Sequence, residues 1–224
     1  MFAALSSAFA QLPDPRIRAV VFRALGLTVL AYILVFAGMV WGLGQLEAFD
    51  MGWANWALEW GIGILAFALS MMIFPAILTM FAGFFLETVA DAVEDRHYPH
   101  LPPAHPVAIP DALLSGLALL GKAIVFNLLA LPLYLLVPAL NLVIFYVLNG
   151  FLLGREYFEV VSLRRMDRKA VKRIWTERRG YLVLCGALIA FLSTIPVLNL
   201  LSPVLGTAFM VHICERLRRG DQSA

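Results

Sequence analysis

Two arginines, Arg16 and Arg18, separated by a single residue, directly follow a helix-start signal. Asp14 can accept hydrogen bonds from free helix amides, and Pro15 has the backbone angle of a first helical residue. The unpaired amides and the helix dipole at such an end favour an anion, so two cations there need a reason. The pair indicates either an anion-collecting site or ordinary anchoring to the anionic headgroups of a membrane.

A second group of charges interrupts an apolar stretch further along the chain. Arg155, Glu156 and Glu159 occupy adjacent turns of one predicted helix end, where charges within or beside a membrane are candidates for function. The same residues are compatible with a helix end that reaches into water, with Arg155 paired to Glu159. Glu87 closes another apolar run and is a further candidate.

Patterns typical of catalysis and metal binding are missing from the sequence. It has no phosphate-binding loop of the G-x-x-x-x-G-K-[ST] type. His97, His100 and His105 fall in a proline-rich stretch, and their spacing fits no helical metal pair. We therefore expect no enzyme, no cofactor and no metal site. Cys185 and Cys214 lie in apolar runs and are expected to be small buried residues rather than a disulfide.

The composition is that of a protein dissolved in lipid. Of 224 residues, 62% are hydrophobic and 14% are charged, whereas an average soluble domain has about 25% charged residues. The chain is therefore predicted to be an all-α integral membrane protein. We expect one membrane domain, 1–224, with an interfacial helix at 1–12 and long transmembrane helices at 15–46 and 56–92.

Lys and Arg determine the expected orientation. Arg16, Arg18 and Arg23 precede the first long helix, and the loop between the two long helices contains no Lys or Arg. By the positive-inside rule the N-terminus is cytoplasmic. The basic segment 155–179 and the basic tail at 216–219 then lie on the same side, so both termini of this multi-pass protein are predicted to be cytoplasmic.

The remaining apolar regions are too short to cross a membrane twice. Residues 180–214 form 35 uncharged positions, whereas two complete spans need roughly 40 residues plus a turn. A helix break at Pro196 leaves a first arm of about 24 Å against a hydrocarbon core of about 30 Å. We predict two hemi-penetrating hairpins, 111–164 and 180–217, and a basic helix along the membrane at 165–179.

The two hairpins are predicted to form a pseudo-repeat. The pattern P-x-L-N-L begins at Pro138 and again at Pro196, 58 residues later, and such repeats are familiar in transport proteins. Asn141 and Asn199 occupy the same place in each copy. They can cap the amides of the second arms, and they can line a polar path at the turn, where backbone groups must not face lipid. Both interpretations stay open, and no nucleic-acid partner is expected.

Three motifs resemble those of the EI24 membrane-protein family, which includes the CysZ-type sulfate permeases. They are F-L-E-T-V-A-D at 85–91, G-R-E-Y-F-E at 154–159 and I-P-V-L-N-L-L-S-P-V at 195–204, and the similarity covers roughly residues 5–216. The resemblance implies two long transmembrane helices and two hemi-penetrating helix pairs, assembled as dimers or larger oligomers in a bacterial inner membrane. It also implies sulfate uptake for cysteine biosynthesis, which we expect to proceed without ATP hydrolysis.

The family's sulfate-binding motif, Gly-Leu-Arg, corresponds to Arg16-Ile17-Arg18 in this chain. Arg18 matches, Ile17 is a conservative change, and Arg16 replaces the glycine. To cross a membrane, a hydrated dianion such as sulfate requires oriented hydrogen-bond donors that replace its water. The candidate permeation path consists of polar residues near the predicted hairpins and long helices: Asn141, Asn199, Arg155, Glu156 and Glu87. The other interpretation is a structural or regulatory protein whose hairpins bind lipids or partners without transport.

Overall fold

The computed structural model describes residues 1–43, 85–104 and 140–222, together with isolated helical positions at 52, 56, 60, 61, 63, 64, 67 and 125. These residues contain helices and no strand, which confirms the predicted all-α class. The helices of the described ranges are α1 (Phe2–Ala10), α2 (Pro15–Leu43), α3 (Leu86–His97), α4 (Asn141–Ser162), α5 (Arg168–Glu177), α6 (Arg179–Ser193) and α7 (Pro196–Gln222).

The chain divides into two compact units. One consists of Met1–Ile17 and Leu86–Ala224, and the other of Arg18–Phe85. Within the second unit, α2 carries exposed apolar side chains along most of its length, among them Phe22, Leu34 and Trp41. A continuous apolar surface of this kind is costly in water and is typical of a helix that faces lipid or a partner.

Two helices in the described ranges are long and apolar enough to cross a membrane, α2 over Pro15–Gly38 and α7 over Pro196–Gly220. Only 17% of the apolar window of α2 is buried inside the protein, whereas 72% of that of α7 is buried. The apolar window of α7 is therefore mostly packed within its own unit, whereas that of α2 is mostly exposed. The predicted helix 56–92 falls largely outside the described residues, and α3 follows a turn at Phe85.

The predicted break at Pro196 is present. Helix α6 ends at Ser193, the amides of Thr194 and Ile195 bond back to its last turn, and α7 begins at Pro196. With 15 residues, α6 is about 22 Å long and shorter than a hydrocarbon core. Helix α7 continues past the uncharged run to Gln222, and Glu215 pairs with Arg218 three residues later, at 2.8 Å. The first arm of hairpin 111–164 lies outside the described residues, so the pseudo-repeat stays a prediction.

Glycines bring α4 and α6 into backbone contact. A Cβ on Gly186 would collide with the carbonyl oxygen of Gly150 and the amide nitrogen of Gly154. Gly150 faces Val183 and Ala187, whereas Gly154, further along α4, faces Leu182, so the two helices are antiparallel. The spacing of Gly150 and Gly154 is the G-x-x-x-G pattern that lets membrane helices approach closely.

Helix α5 begins at an Asp167 cap, whose Oδ1 accepts from the Ala170 amide at 2.9 Å. Its apolar face, formed by Val171, Ile174 and Trp175, is buried against protein. The ring of Trp175 lies 5.7 Å from that of Phe151 and 6.3 Å from that of Phe158, both on α4. Lipid is therefore not required to cover this face, and the exposed face of α5 is basic.

Candidate functional site

The N-terminus of α2 is built as its sequence predicts. The helix begins at Pro15, and Asp14 Oδ1 accepts from the Arg16 amide at 2.9 Å. Arg16 Nη1 then forms an ion pair with Asp95 Oδ2 at 2.5 Å, and both side chains are exposed. The Ile17 side chain is fully buried and Arg18 is exposed. Asp14 already satisfies one helix amide and Asp95 compensates the Arg16 charge, whereas Arg18 has no ion pair with any residue that the structure describes.

A cavity of about 490 Å³ lies beside α3, and four acidic side chains of that helix are in its lining. We call it the acidic cavity; its charged lining consists of Glu87, Asp91, Glu94, Asp95, Arg164 and Arg165. Asp95 is the partner of Arg16, so Arg16 adjoins this cavity through one ion pair. Glu87, a candidate for the permeation path, also lines it, with an exposed side chain.

Buried ion pairs connect α3 to the turn that follows α4. Arg164 bonds Asp91, and its Nη2 lies 3.3 Å from Glu94 Oε2, while Arg165 also bonds Glu94. The side chains of Arg164 and Glu94 are each 4% exposed. Removing either charge would leave the other buried without full compensation, which is strongly unfavourable. The sequence analysis missed this network because about 70 residues separate the partners, although a run of acids on α3 and two adjacent arginines are complementary in charge.

Of the two arrangements predicted for the charges of 155–159, the structure contains the pairing of Arg155 with Glu159. Arg155 Nε donates to Glu159 Oε2 at 2.8 Å, which confirms the pair four residues apart. The Arg155 guanidinium also lies 5.1 Å from the centre of the Trp175 ring, so it joins α4 to α5. Glu156 is exposed on α4. A carboxylate exposed on a membrane helix is costly in lipid, so its surroundings are expected to be water or another polar group.

The two asparagines differ in detail. Asn141 is the first residue of α4, and the N-cap, Leu140, makes no side-chain cap bond, so capping of this helix by Asn141 is wrong. Its Oδ1 is buried and has no hydrogen-bond partner among the residues that the structure describes. Asn199 is half-buried near the start of α7, where its backbone amide donates to the Ile195 carbonyl oxygen at 2.7 Å. An unsatisfied buried acceptor is unusual and calls for a ligand, water or partner.

The packed helices have one charged end and one apolar end. Ser162 Oγ lies 3.1 Å from Cys214 Sγ, and a Cβ on Gly206 would meet the Tyr157 ring, so α4 and α7 are parallel. Because α6 is antiparallel to α4, the start of α4, the turn after α6 and the start of α7 share the apolar end. Both cysteines are free and buried, as predicted.

The candidate path residues are therefore divided between the two ends. Asn141 and Asn199 lie at the apolar end, whereas Arg155 is 14 residues along α4 from Asn141, about 21 Å away. Exposed apolar side chains surround the asparagines at that end, including Leu142 and Val197. The charged end carries Arg155, Arg179 and the last turns of α7. The sequence analysis missed the glycine contact of α4 with α6, which lies between the two ends, although the G-x-x-x-G spacing could have indicated it.

Long apolar helices, backbone contacts through glycine and charges collected at one end define a helical membrane protein. Within that class the chain belongs to the family described as sulfate transporter CysZ/etoposide-induced protein 2.4, which matches residues 4–203. The family expected from the three motifs is thereby confirmed. No curated protein matches the chain, and no solved structure matches it.

Proposed function

We propose that this protein is a sulfate permease of a bacterial inner membrane, which admits sulfate for cysteine biosynthesis. The observation that carries the proposal is the match of a sulfate-transporter family to residues 4–203. The family is one of transporters and not of enzymes. The proposal adds a channel-like path without ATP hydrolysis, both termini in the cytoplasm, and a homo-oligomer in contact with membrane lipids.

The distribution of polar groups supports a path through the packed helices. Sulfate is a strongly hydrated dianion, so each level of its route must offer donors or water. Arg18 is an exposed cation at the start of α2 and can concentrate sulfate, with Arg16 joining it when Asp95 is displaced. Asn141 supplies a buried polar group with no partner among the described residues at the apolar end, where the surrounding surface is hydrophobic.

Exposed Glu156 supports a path or interface shared between protomers. Its side chain is on the outer surface of α4, and Leu142, Val143 and Val147 of the same helix are exposed apolar residues. Lipid could cover the apolar residues but not a carboxylate. A second protomer placed against α4 would give Glu156 a polar environment and cover the apolar side chains as well.

Flux of radiolabelled sulfate into liposomes that hold the purified protein tests the proposal. We expect uptake above that of empty liposomes under a sulfate gradient, with no requirement for ATP. Replacement of Arg18 by Gln should lower sulfate affinity, whereas replacement of Lys169, an exposed cation on α5, should leave it unchanged. No uptake above empty liposomes, under either a sulfate gradient or a pH gradient, would reject the permease.

A structural or regulatory role is the second candidate, and the Arg16–Asp95 pair is the observation that favours it. If Asp95 keeps Arg16 engaged permanently, the motif contains one exposed cation and is a weaker anion site. The hairpins and the basic face of α5 would then bind lipids or partners. Sedimentation with anionic liposomes, together with absence of sulfate flux in the same preparation, would support this role.

A further inference from the structure

The exposed side of α5 and the first residue of α6 form a strongly basic surface. Residues 168–179 contain six Lys and Arg residues and one acid, Glu177. We call this surface the basic face; all six of its cations are exposed, namely Arg168, Lys169, Lys172, Arg173, Arg178 and Arg179. None of them belongs to the anion motif or to the candidate path.

The apolar side of α5 is not available to lipid. Val171 and Ile174 are each 2% exposed, and Trp175 is 7% exposed. The Trp175 ring packs against Phe151, and the Arg155 guanidinium lies 5.1 Å from its centre. An amphipathic helix binds a membrane by burying its apolar side at the boundary of headgroups and acyl chains. Because protein already covers this side of α5, a contact between α5 and a membrane depends on its charges.

Helix α5 runs back along α4 towards the apolar end of the packed helices. It begins shortly after α4 ends, and Trp175, in its last turn, packs against Phe151, eleven residues before that end and about 16 Å from it. Arg179 reaches the same ring, with its guanidinium 5.0 Å from the ring centre. The basic face is therefore inclined, with Arg178 and Arg179 nearest the apolar end and Lys169 far from it.

The lower part of the basic face lies at the depth of lipid headgroups. The first strongly exposed apolar side chain of α6 is Leu184, which is 61% exposed and five residues, about 7.5 Å, beyond Arg179. Each headgroup layer of a bilayer is about 5–7.5 Å thick, so Arg178 and Arg179 lie among headgroups when Leu184 is in hydrocarbon. Lys169 is up to about 15 Å farther out, beyond the Debye length of about 8 Å at physiological salt.

We propose that the basic face binds anionic phospholipids of the membrane surface through charge alone, without insertion of α5. The ligand is a headgroup phosphate with a net negative charge, such as that of phosphatidylglycerol. Depth favours this partner over a soluble acidic protein or a nucleic acid, because the cations at the end of the face continue directly into the apolar helix α6. The contact requires a membrane but not sulfate transport.

Quenching by spin-labelled lipid tests the proposal. Thr176→Cys introduces a thiol on the exposed side of α5 without removing a cation, and both native cysteines are buried. A fluorophore at this position is observed in phosphatidylcholine nanodiscs that contain trace phosphatidylglycerol or phosphatidylcholine with a nitroxide at the headgroup end of one acyl chain. We expect stronger quenching by the labelled phosphatidylglycerol at 0.1 M salt. Equal quenching by the two lipids would overturn the proposal and leave the face to a soluble acidic partner.

Salt distinguishes a contact through charge from insertion. The Debye length falls from about 10 Å at 0.1 M salt to about 3 Å at 1 M, so the preference for phosphatidylglycerol should disappear at 1 M. A preference that persists at 1 M salt would contradict binding by charge alone. This measurement needs no variant beyond the labelled protein.

Single substitutions test the inclination of the face. Arg178→Gln should lower the preference for phosphatidylglycerol about fivefold, the usual contribution of one cation near an anionic surface. Lys169→Gln should lower it less than about twofold, because this side chain is farther from the headgroups. Both side chains are exposed, so thermal unfolding should be unchanged. An effect of Lys169→Gln as large as that of Arg178→Gln would contradict the placement of the face.

Arg219→Gln is the matched control, because it removes an exposed cation on α7, at the same end of the packed helices but outside the basic face. We expect no change in lipid preference, and a loss equal to that of Arg178→Gln would reject the basic face as the binding surface. Sulfate flux is measured on the same nanodisc protein after transfer to liposomes. Lipid preference without flux would reject the permease alone, and flux without lipid preference would reject the basic face alone.

Discussion

At the scale of single residues, a bound sulfate and Asp95 would compete for the guanidinium of Arg16. Asp95 occupies its guanidinium at 2.5 Å, and Asp14 takes the amide behind it. A sulfate ion at this place would compete with the Asp95 carboxylate for Arg16. The motif is therefore best understood as Arg18 assisted by a restrained Arg16, rather than as two equal cations.

Replacement of Asp95 by Asn should raise sulfate affinity severalfold, because it frees Arg16 and removes a negative charge beside the motif. Isothermal titration of the purified protein with sulfate measures the change. Glu177→Gln, at an exposed acid at the end of α5, is the matched control and should have no effect. Unchanged affinity in the Asp95 variant would mean that Arg16 takes no part in binding.

Asn141 provides a test of the polar path. Leu is similar in volume and removes an Oδ1 that has no partner in the described part of the chain, so Asn141→Leu should leave thermal stability equal to or slightly above that of the parent. If the group contacts the permeating ion, flux should fall about tenfold, the usual cost of one lost polar contact. Asn149→Leu is the control, since its amide bonds the Phe145 carbonyl within α4 at 2.8 Å. Parental flux in the Asn141 variant would exclude this residue from the path.

Contacts between residues close in sequence could be predicted, whereas contacts between distant residues could not. The helix start at Asp14-Pro15 and the Arg155–Glu159 pair depend on neighbours within four residues, and the structure contains both. Arg16–Asp95 and His212–Tyr98 join residues 79 and 114 positions apart, and no local rule could find them. The prediction that the Asn141 side chain caps α4 was wrong, because the helix begins at that residue and not after it.

At the scale of helices, the contact of α4 with α6 depends on the absence of side chains. Gly186→Ala places a methyl group against the backbone of Gly150 and Gly154, which cannot move aside without separating the helices. We expect a loss of about 2 kcal/mol of stability. Thermal unfolding in detergent, followed by tryptophan fluorescence, measures it.

Gly180 supplies the control on the same helix. A Cβ there meets no atom within 4 Å, so Gly180→Ala should be neutral or should stabilise α6 by about 0.5 kcal/mol through helix propensity. Equal effects of the two substitutions would show that close packing of the backbones is not what holds α4 to α6.

Ion pairs hold α3 in a different way. Arg164→Met removes one cation from the buried group around Glu94 and should cost about 3 kcal/mol, because Arg165 compensates only part of the remaining charge. Lys169→Met, on the exposed side of α5, should be neutral. Equal stability of the two variants would mean that water enters and screens this group. The helix starts at Pro15 and Pro196 were predictable from the prolines, whereas which helices touch had to come from the structure.

At the scale of the whole molecule, the question is how far the α6–α7 pair enters the membrane. The native Cys185 and Cys214 are buried and should be unreactive, so single cysteines can be introduced against a silent background. Lys169→Cys at the charged end should react with a membrane-impermeant thiol reagent from the cytoplasmic side only. Ile195→Cys at the turn should be protected from both sides if the pair stops within the bilayer. Rapid labelling of position 195 from the outside would show a full crossing.

The collection of charges at one end also bears on how the protein reaches its membrane. If α6 and α7 enter and leave from the side of synthesis, then the arginines of α5 and of the last turns of α7 never traverse hydrocarbon. A charge at the bilayer centre costs about 3 kcal/mol or more, and this arrangement avoids that step for each of them. The pair can then be inserted after translation of the whole segment, as a single hydrophobic wedge. In that case no polar loop has to be translocated between these two helices.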